Sequence, residues 1–308
     1  MKNDFKIVIF GFGSIGKRHY KNLLSLGIEE ENISIYDPAI KEYEKLPNLK
    51  NYNIVFVCSP NNFHVEQSLL AAKAGCHLFI EKPLSHNSKN IKKLINTCKK
   101  KKLTNMVACN FRFHPVIKKM KTLLDQNILG KIYATHHEGA YYLPYCRPGQ
   151  DYTKNYIAKK ETGGGAILDA WQQFDLSFWL NNFSEIKKSY LISDKVSNLK
   201  IKTEDMFTTI FQFKNKRIAS IRGDCLQKSY SLNCKVVGEK GNLEWNFKKG
   251  IIWLKTKDKE KKLFEVKNYD LNKMYIDETK YFLNCVRKKQ ETFNGIEKAF
   301  VILKTILQ

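Results

Sequence analysis

The sequence predicts two domains: a doubly wound parallel α/β domain, followed by an α+β domain whose sheet is largely antiparallel and open. Three observations support this fold class. An apolar, β-branched run at residues 6–10 leads directly into a glycine-rich turn. Strand-like apolar runs then alternate with helical stretches as far as residue 110, as in parallel sheets covered by helices. Beyond that point, strand-like runs follow one another with turn residues between them, which is typical of antiparallel pairing.

The glycine-rich turn at residues 11–16 has the spacing GxGxxG, with a strand before it and a helix after it. The first glycine permits a tight turn, the second lets the backbone approach a pyrophosphate, and the third allows helix and strand to pack closely. An acid, Asp37, follows a second strand about 20 residues later, where a carboxylate binds the adenosine ribose and disfavours the 2′-phosphate of NADP. The pattern predicts a Rossmann domain that binds NAD through Gly11, Phe12, Gly13, Ser14, Ile15, Gly16 and Asp37.

Three more loops follow strands of the same domain, at residues 58–62, 81–83 and 110–113. Because ligands bind beyond the carboxyl ends of parallel strands, we expect these loops to border the cofactor. The predicted contacts are Cys58, Ser59, Pro60, Asn61, Glu81, Lys82 and Asn110. His64, at the start of the next helix, is interpreted as a structural residue.

We place the dinucleotide-binding domain at residues 1–114 and a domain for substrate binding and oligomerisation at residues 115–308. The second domain is predicted to begin with a helix and a strand. Six further strand-like runs carry turn signals that suggest an antiparallel meander. Two helices, at about residues 272–288 and 296–307, end the chain.

The composition narrows the class of protein. Hydrophobic residues make up 43% of the 308, and no apolar run approaches the roughly 20 residues of a membrane span. The eight cysteines are scattered without a CxxC pair, so we expect reduced thiols in a cytoplasmic protein and no zinc site or disulfides. The adjacent His136 and His137 point to opposite faces of a strand, which argues against a metal site. The N-terminus has no signal-peptide pattern.

The formal net charge is +23, and most of the basic residues are lysines spread along helices and turns. Two interpretations stay open: solvated helix faces that reflect the overall composition, or an anionic small-molecule substrate. No nucleic-acid-binding motif is present, so neither nucleic acid nor a membrane is predicted as a partner.

Six features together resemble the Gfo/Idh/MocA family of NAD(P)-dependent oxidoreductases. They are GFGSIG, Asp37, CSPNNFH at residues 58–64, EKP at 81–83, NFRFHP at 110–115 and GGGAILD at 163–169. The resemblance covers essentially the whole chain. In addition, YLPYCRPGQDYTKNY at residues 142–156 is similar to members associated with bacterial surface-polysaccharide and nonulosonate-sugar gene clusters.

The resemblance implies hydride transfer between nicotinamide and a hydroxyl-bearing carbon of a sugar or polyol. The lysine of the EKP motif, Lys82, would be the catalytic or orienting amine beside the substrate hydroxyl. Family members often carry an Asp and a His on one helix of the second domain, and Asp169 matches the acid. The family also commonly pairs through the open face of the second sheet, which implies a homo-oligomer.

Where the family has histidine, three or four residues after the acid, this chain has Gln172 and Gln173. Glutamine can hydrogen-bond a sugar hydroxyl, but it cannot carry a proton. The predicted catalytic residues are Lys82, Asp169, Gln172 and Gln173, with proton transfer resting on Lys82, helped by Asp169 or a tyrosine. The alternative for Asp169 is a structural carboxylate near a helix start.

Five residues are predicted to bind the substrate: Arg112, Tyr142, Tyr145, Arg147 and Tyr156. They lie in a strand-end loop and in an irregular, tyrosine-rich segment, and arginine suits an anionic group. Arg112 could equally brace the two domains, and the tyrosines could cover surface or contact another subunit.

The sequence thus predicts an NAD-dependent oxidoreductase whose substrate is a nucleotide-linked or acidic sugar of surface-glycan biosynthesis. Two alternatives remain. One is an enzyme with tightly bound, recycled NAD that catalyses epimerisation, elimination or glycoside cleavage. The other is a non-catalytic, NAD-responsive binding protein, which the two glutamines suggest.

Overall fold

The computed structural model describes residues 5–146 and 148–307, and the chain forms two compact units. The first unit contains the residues up to Asn110 together with Leu271–Leu307, and the second contains Phe111–Asp270. None of the helices in the described ranges is long and apolar enough to cross a lipid bilayer.

The first unit is built on a five-stranded parallel sheet with the strand order β2-β1-β3-β4-β5. Its strands are β1 (Ile7–Phe10), β2 (Ile33–Tyr36), β3 (Ile54–Val57), β4 (His77–Ile80) and β5 (Asn105–Val107). Every residue of β1 and β3 is buried, as expected of central strands in a parallel sheet. The strand order reverses between these two strands, so their carboxyl ends border the usual ligand crevice.

Within the described ranges, eight α-helices accompany the two sheets. The first unit contains α1 (Ser14–Ser25), α2 (His64–Ala74) and α3 (Ile91–Lys100). The second contains α4 (Pro115–Asp125), α5 (Ala166–Asp169) and α6 (Trp171–Leu180). The chain ends with α7 (Asn272–Lys288) and α8 (Ile296–Ile306).

The last two helices belong to the first unit, which corrects the predicted domain range of 115–308. Phe282 of α7 packs at 5.9 Å from Phe56 and 5.5 Å from Phe79, measured between ring centroids. Asn294, between α7 and α8, donates a 2.8 Å hydrogen bond to the carbonyl of Val107 in β5. Helical periodicity identifies an apolar face, but it does not say which sheet that face covers. The boundary between the units also falls after Asn110 rather than after residue 114.

The second unit contains an eight-stranded sheet with the order β13-β12-β11-β10-β6-β9-β8-β7. Its strands are β6 (Ile132–Tyr142), β7 (Ile186–Asp194), β8 (Met206–Phe213), β9 (Ile218–Asp224), β10 (Leu226–Gly238), β11 (Gly241–Asn246), β12 (Ile251–Lys255) and β13 (Glu260–Glu265). All pairings are antiparallel except that between β6 and β9. The predicted α/β plus largely antiparallel fold class is therefore confirmed.

Two details of this sheet differ from the prediction. The runs do not form a simple meander, because β6 lies between β9 and β10 and pairs with both. The strand β13 is missing from the prediction, because its sequence EKKLFE is too charged to be recognised as a strand. Charged residues are a common feature of edge strands, where they prevent pairing with other chains.

One face of this sheet is covered and the other is open. Side chains of α4 and α6 form a core with β10, β11 and β12 that includes Leu123, Leu176, Val236, Trp245 and Ile252. On β7, β8 and β9, several large apolar side chains are exposed: Tyr190, Ile192, Ile210 and Ile218.

Candidate functional site

The glycine-rich loop has the geometry that a dinucleotide requires. Gly11 has a φ of +87°, and a Cβ atom there would lie 2.7 Å from the backbone of Ser59. A Cβ atom on Gly16 would lie 2.1 Å from the carbonyl oxygen of Gly11, so this glycine is needed for packing. Among the described residues, no atom lies within 4 Å of the corresponding position on Gly13, the residue before α1. This open space at a helix N-terminus, reached through Gly13, Ser14 and Ile15, fits an anionic pyrophosphate.

Asp37 holds the glycine-rich loop in place. Its Oδ2 atom accepts a 2.7 Å hydrogen bond from the amide of Phe12, and its Oδ1 atom accepts one of 3.0 Å from Ala39. The Phe12 ring packs edge-on against Tyr20 and Tyr43. The carboxylate is only partly buried, so it can bind a ribose hydroxyl while it braces the loop.

His64 joins the two neighbouring loops. Its Nδ1 atom lies 2.8 Å from the carbonyl oxygen of Pro83, and its Nε2 atom lies 2.8 Å from that of Ser59. Burial lowers the pKa of His64, although these two contacts favour the charged form. The residue begins α2 and has the structural role that the sequence predicts.

The loop at residues 58–61 is set by polar and buried groups. The Ser59 hydroxyl donates to Oε1 of Gln67 at 2.7 Å, and Asn61 is buried immediately after Pro60. Burial, together with the charge of Glu81, raises the pKa of the Cys58 thiol well above its ordinary value. Cys58 is therefore a packing residue rather than a reactive thiol.

The EKP loop is fixed by a buried contact between Glu81 and His19. Oε1 of Glu81 lies 2.7 Å from Nε2 of His19, and Oε2 accepts a 3.1 Å hydrogen bond from the backbone amide of Lys82. Burial alone would raise the pKa of Glu81, but the bonding and charge of His19, together with Lys82, hold it below its ordinary value. The Glu81 side chain thus fixes the backbone at Lys82, and its predicted contact with the cofactor stays a prediction. The Lys82–Pro83 bond is cis.

Lys82 itself follows β4 and is partly buried, at the edge of the sheet where β1 and β3 also end. Asn110 follows β5 at the same edge and is buried. In the first unit, the structure therefore brings the predicted cofactor residues to one edge of one sheet.

Arg112 does not have the predicted substrate-binding geometry. Its guanidinium donates to both carboxylate oxygens of Asp175, at 2.7 and 2.6 Å, and both side chains are almost fully buried. The guanidinium also lies 5.4 and 5.2 Å from the ring centroids of Trp179 and Phe183. An arginine enclosed in this way is a core ion pair, which corrects the prediction.

A cleft of about 580 Å³ in the second unit brings together other predicted residues. We call it the tyrosine cleft. Its lining includes the predicted Tyr142, Tyr145, Tyr156 and Asp169, and also Tyr141, Cys146, Asn155, Ile157, Lys228 and Tyr230. The Lys228 ammonium lies 3.0 Å from the ring centroid of Tyr142, so a positive charge is held against the aromatic wall. Arg147, also predicted to bind substrate, lies outside the described residues.

Asp169 is the acid of the tyrosine cleft. Its Oδ2 atom accepts a 2.6 Å hydrogen bond from Tyr141, and its Oδ1 atom accepts one of 2.6 Å from Tyr156. Burial, with the charge of Asp169, raises the pKa of Tyr141 well above its ordinary value, so this phenol remains a donor.

The two glutamines are not beside this acid in the cleft. Among the described residues, neither Gln172 nor Gln173 lines it. Gln173 packs on β6, where a Cβ atom on Gly139 would lie only 1.8 Å from its Nε2 atom. Shared spacing on a helix does not ensure that three side chains reach one cavity, since α5 and α6 meet at Ala170.

The residues that sequence reasoning missed are Tyr141, Lys228 and Tyr230. Lys228 and Tyr230 alternate along β10, which is a signal that they share a face. The register that sets Leu226 opposite Tyr142 brings this face to the cleft. Across the described residues, no three His, Cys, Asp or Glu side chains are close enough to hold a metal ion.

Comparison with known families agrees with this architecture. Residues 5–109 match an oxidoreductase family with an NAD-binding Rossmann fold, and residues 117–244 match the GFO/IDH/MocA C-terminal domain. The chain belongs to the GFO/IDH/MocA family. Its first unit is the NAD-binding Rossmann domain of that family.

Individual relatives of this family member are dehydrogenases. It is 32% identical over 205 residues to D-glucoside 3-dehydrogenase of Escherichia coli, a match that covers 60% of this chain and 56% of that protein. It is 25% identical over 262 residues to myo-inositol 2-dehydrogenase of Thermotoga maritima, covering 77% and 74%. The chain therefore spans just over half the length of the E. coli relative.

Solved structures show the same fold over nearly the whole chain. Levoglucosan dehydrogenase in complex with NADH aligns with a TM-score of 0.80 at 16% identity, covering 98% of this chain and 95% of that one. UDP-N-acetylglucosamine 3-dehydrogenase from Acidithiobacillus ferrooxidans aligns with a TM-score of 0.78 at 17% identity, covering 99% and 96%.

Proposed function

We propose that this family member is an NAD-dependent dehydrogenase that transfers a hydride between nicotinamide and a hydroxyl-bearing carbon of a sugar or polyol. The observation that carries the proposal is the position of Lys82, directly after β4 and held at its backbone by Glu81. The names of the E. coli and T. maritima relatives, a glucoside and an inositol dehydrogenase, support this class of substrate.

The chemistry requires a proton acceptor, because an alcohol that loses a hydride must also lose its hydroxyl proton. Bound NAD would accept the hydride. Gly11–Gly16 and Asp37 would hold its pyrophosphate and ribose, with Asp37 favouring NAD over NADP. Lys82 would act as the amine next to the substrate hydroxyl.

This chain has glutamines where the family commonly has a histidine, so another group has to carry the proton. The Tyr156–Asp169 pair offers such a route. Tyr156 lines the cleft and donates to Asp169. A proton that binds the phenolic oxygen of Tyr156 releases the proton that this hydroxyl donates to Asp169. The tyrosine is unchanged by this exchange, and the carboxylate becomes a carboxylic acid.

We further propose that the substrate carries a negative charge, as a nucleotide-linked or acidic sugar of surface-glycan biosynthesis does. Tyrosine rings suit the face of a sugar, and the Lys228 ammonium is held among them. A negatively charged group on the substrate would pair with this ammonium. We expect Lys228→Met to raise KM for a hexuronate substrate about tenfold, while KM for the matching neutral hexose stays the same. Equal effects on both sugars would contradict this choice of substrate.

The central experiment is Lys82→Met. We expect turnover to fall by at least about 10²-fold, because general acid–base groups contribute on this scale. NADH affinity, measured by fluorescence titration, should stay near the wild-type value. Lys89→Met, an exposed lysine shortly after the same loop, is the matched control and should retain activity. Full turnover by Lys82→Met would overturn the assignment.

The two glutamines favour a second candidate, an enzyme that retains NAD and recycles it during epimerisation, elimination or glycoside cleavage. A non-catalytic NAD-responsive protein is the related alternative. Denaturing the purified protein and measuring released nicotinamide separates these possibilities. Stoichiometric NAD with no net NADH formation would favour the recycling enzyme, provided that product forms.

We also propose a cytoplasmic homo-oligomer that associates through the open sheet face. All eight cysteines are free thiols, as a reducing compartment maintains them. On the open face, Ile192 is 78% exposed, beside Tyr190 and Ile210. Ile192→Glu should shift the sedimentation of the protein toward the monomer, whereas Lys188→Glu on the same strand should have a smaller effect.

A further inference from the structure

Seven polar residues and one glycine lie where α5, α6 and the residue after α6 face β6 in the second unit. On the helical side, Gln173, Ser177 and Asn181 recur every four residues along α6 and its C-terminal end, so they share one face, and Asp169 at the end of α5 precedes them. On the strand side they are alternate residues of β6, which also share one face. We call this set the polar seam: Asp169, Gln173, Ser177 and Asn181 opposite Tyr141, Gly139, His137 and Thr135.

Contacts at both ends fix the register of the seam. At one end, the Tyr141 hydroxyl donates to Asp169 at 2.6 Å. At the other end, Nδ2 of Asn181 donates to Oγ1 of Thr135 at 3.1 Å. The helix and the strand therefore run in opposite directions along the seam.

The spacing of residues along the helix and the strand gives their alignment in the middle of the seam. Four helical residues advance about 6 Å, and two strand residues advance about 6.6 Å, so the two sides stay in step. The side chain of Gln173 packs against Gly139, four helical residues and two strand residues from the Asp169–Tyr141 pair. The next step places Ser177 opposite His137.

Polar atoms along this seam have no hydrogen-bond partner among the described residues. They are Oε1 of Gln173, Oγ of Ser177, Oδ1 of Asn181 and Nε2 of His137. The exposed fractions of Ser177, Asn181 and His137 are 0%, 1% and 4%. Buried polar atoms are rarely left without partners in folded proteins, and four along one seam indicate a shared ligand.

That ligand must be small, neutral, and both a donor and an acceptor. Burial lowers the pKa of His137 to about 3, so its imidazole is neutral. Between the Asp169 end and the Asn181 end, the seam contains no carboxylate that would balance a cation. Internal water meets these requirements, and it is the usual partner of buried polar groups.

We propose that the polar seam binds a row of internal water molecules that connects the buried imidazole of His137, through Ser177 and Gln173, with the Asp169–Tyr141 pair of the tyrosine cleft. The row gives the unpartnered atoms their hydrogen bonds. It also gives His137 a path for proton exchange with the cleft, although the imidazole itself is buried. The water site does not depend on the proposed dehydrogenase activity.

The test uses the full chain without substrate. A high-resolution crystal structure of the wild type should show ordered water within hydrogen-bond distance of Ser177 Oγ and His137 Nε2. In NMR spectra, the imidazole N–H of His137 should show an exchange cross-peak with water. A dry seam and no cross-peak in the wild type would overturn the proposal.

Variants locate the water. Ser177→Val fills the space and removes the hydroxyl, so both the water density and the cross-peak should be lost. Ser177→Ala, a milder change that secures a folded protein, should weaken the cross-peak. Ser68→Val replaces another fully buried helical serine, in α2 of the first unit, and should leave both signals unchanged. A cross-peak that survives Ser177→Val at full intensity would place the water elsewhere.

Discussion

The hydroxyl of Tyr156 donates a 2.6 Å hydrogen bond to Oδ1 of Asp169, on the wall of the tyrosine cleft. The second carboxylate oxygen is bound in the same way by Tyr141. Two phenols thus bind the acid that the sequence analysis matched to the family pattern. The arrangement gives each tyrosine a distinct, testable role.

We expect Tyr156→Phe to lower kcat/KM by about 10²-fold, because it removes the hydroxyl through which a proton would pass to Asp169. The ring and its packing are retained, so the free energy of unfolding should change by only about 1 kcal/mol. Steady-state kinetics and urea denaturation measure the two quantities. The matched control is Tyr142→Phe, the same change in the same cleft, and it should retain activity. Equal losses in both variants would mean that the cleft binds substrate without a proton route through Tyr156.

Two glycines of the N-terminal loop should respond differently to the same substitution. Gly13 has a φ of −70°, which alanine adopts, and its added methyl group would enter open space. Gly13→Ala should therefore fold with a stability change within about 0.5 kcal/mol. Its NADH affinity should fall at least tenfold, because the methyl group occupies the space of the pyrophosphate.

Gly16→Ala is the comparison, since its methyl group would meet the Gly11 carbonyl oxygen at 2.1 Å. We expect this variant to lose about 1–3 kcal/mol of stability, in line with overpacking of a core. Urea denaturation and NADH fluorescence titration check both variants. If Gly13→Ala bound NADH like the wild type, the pyrophosphate would have to lie elsewhere.

The features predicted correctly from the sequence are those encoded locally. The strand, the GxGxxG turn and the helix after it lie within residues 6–26, and each strand-end loop directly follows its strand. To place these loops at one ligand-binding edge, only one rule is then needed: ligands bind beyond the carboxyl ends of parallel strands. For this reason the parallel sheet of the first unit and the position of its strand-end loops could be anticipated.

Features that depend on distant pairing could not be anticipated. Lys228 reaches the tyrosine cleft because β10 pairs with β6, a register that no local pattern specifies. Arg112 was expected near substrate because it follows a strand, but its partner Asp175 lies 63 positions away. Likewise, α7 and α8 show apolar faces in the sequence without indicating the sheet that they cover.

Arg112→Met should be strongly destabilising, by about 3–5 kcal/mol, because it leaves the Asp175 carboxylate buried without its counter-charge. The double variant Arg112→Met with Asp175→Leu should recover much of this loss, since no charge is then left buried. Urea denaturation of the two single variants and the double variant measures the coupling. Lys214→Met provides the control: its pair with Glu185 is solvent-exposed, so the effect should be below about 1 kcal/mol. A variant that keeps full stability but loses substrate affinity would restore Arg112 to the substrate site.

His114 should make the stability of the second unit depend on pH. Burial lowers its pKa from the ordinary 6.5 to about 4. Between these values the unfolded chain binds more protons than the folded one, so stability is full above pH 6.5 and falls as the pH is lowered toward 4. For one group, the slope reaches at most about 1.4 kcal/mol per pH unit.

The variant that tests this is His114→Asn. His114 accepts a hydrogen bond from the amide of Val116 as the N-cap of α4, and asparagine preserves that cap without titrating. The variant loses ring contacts with Phe247 and Tyr269, so its absolute stability should fall and only the slope is compared.

Urea denaturation from pH 7 to pH 4.5 should show a shallower decline of the unfolding free energy for His114→Asn than for the wild type. His136→Asn, at an exposed histidine of β6, should change the slope less. Parallel declines in the wild type and His114→Asn would show that other groups, such as His137, carry the pH dependence.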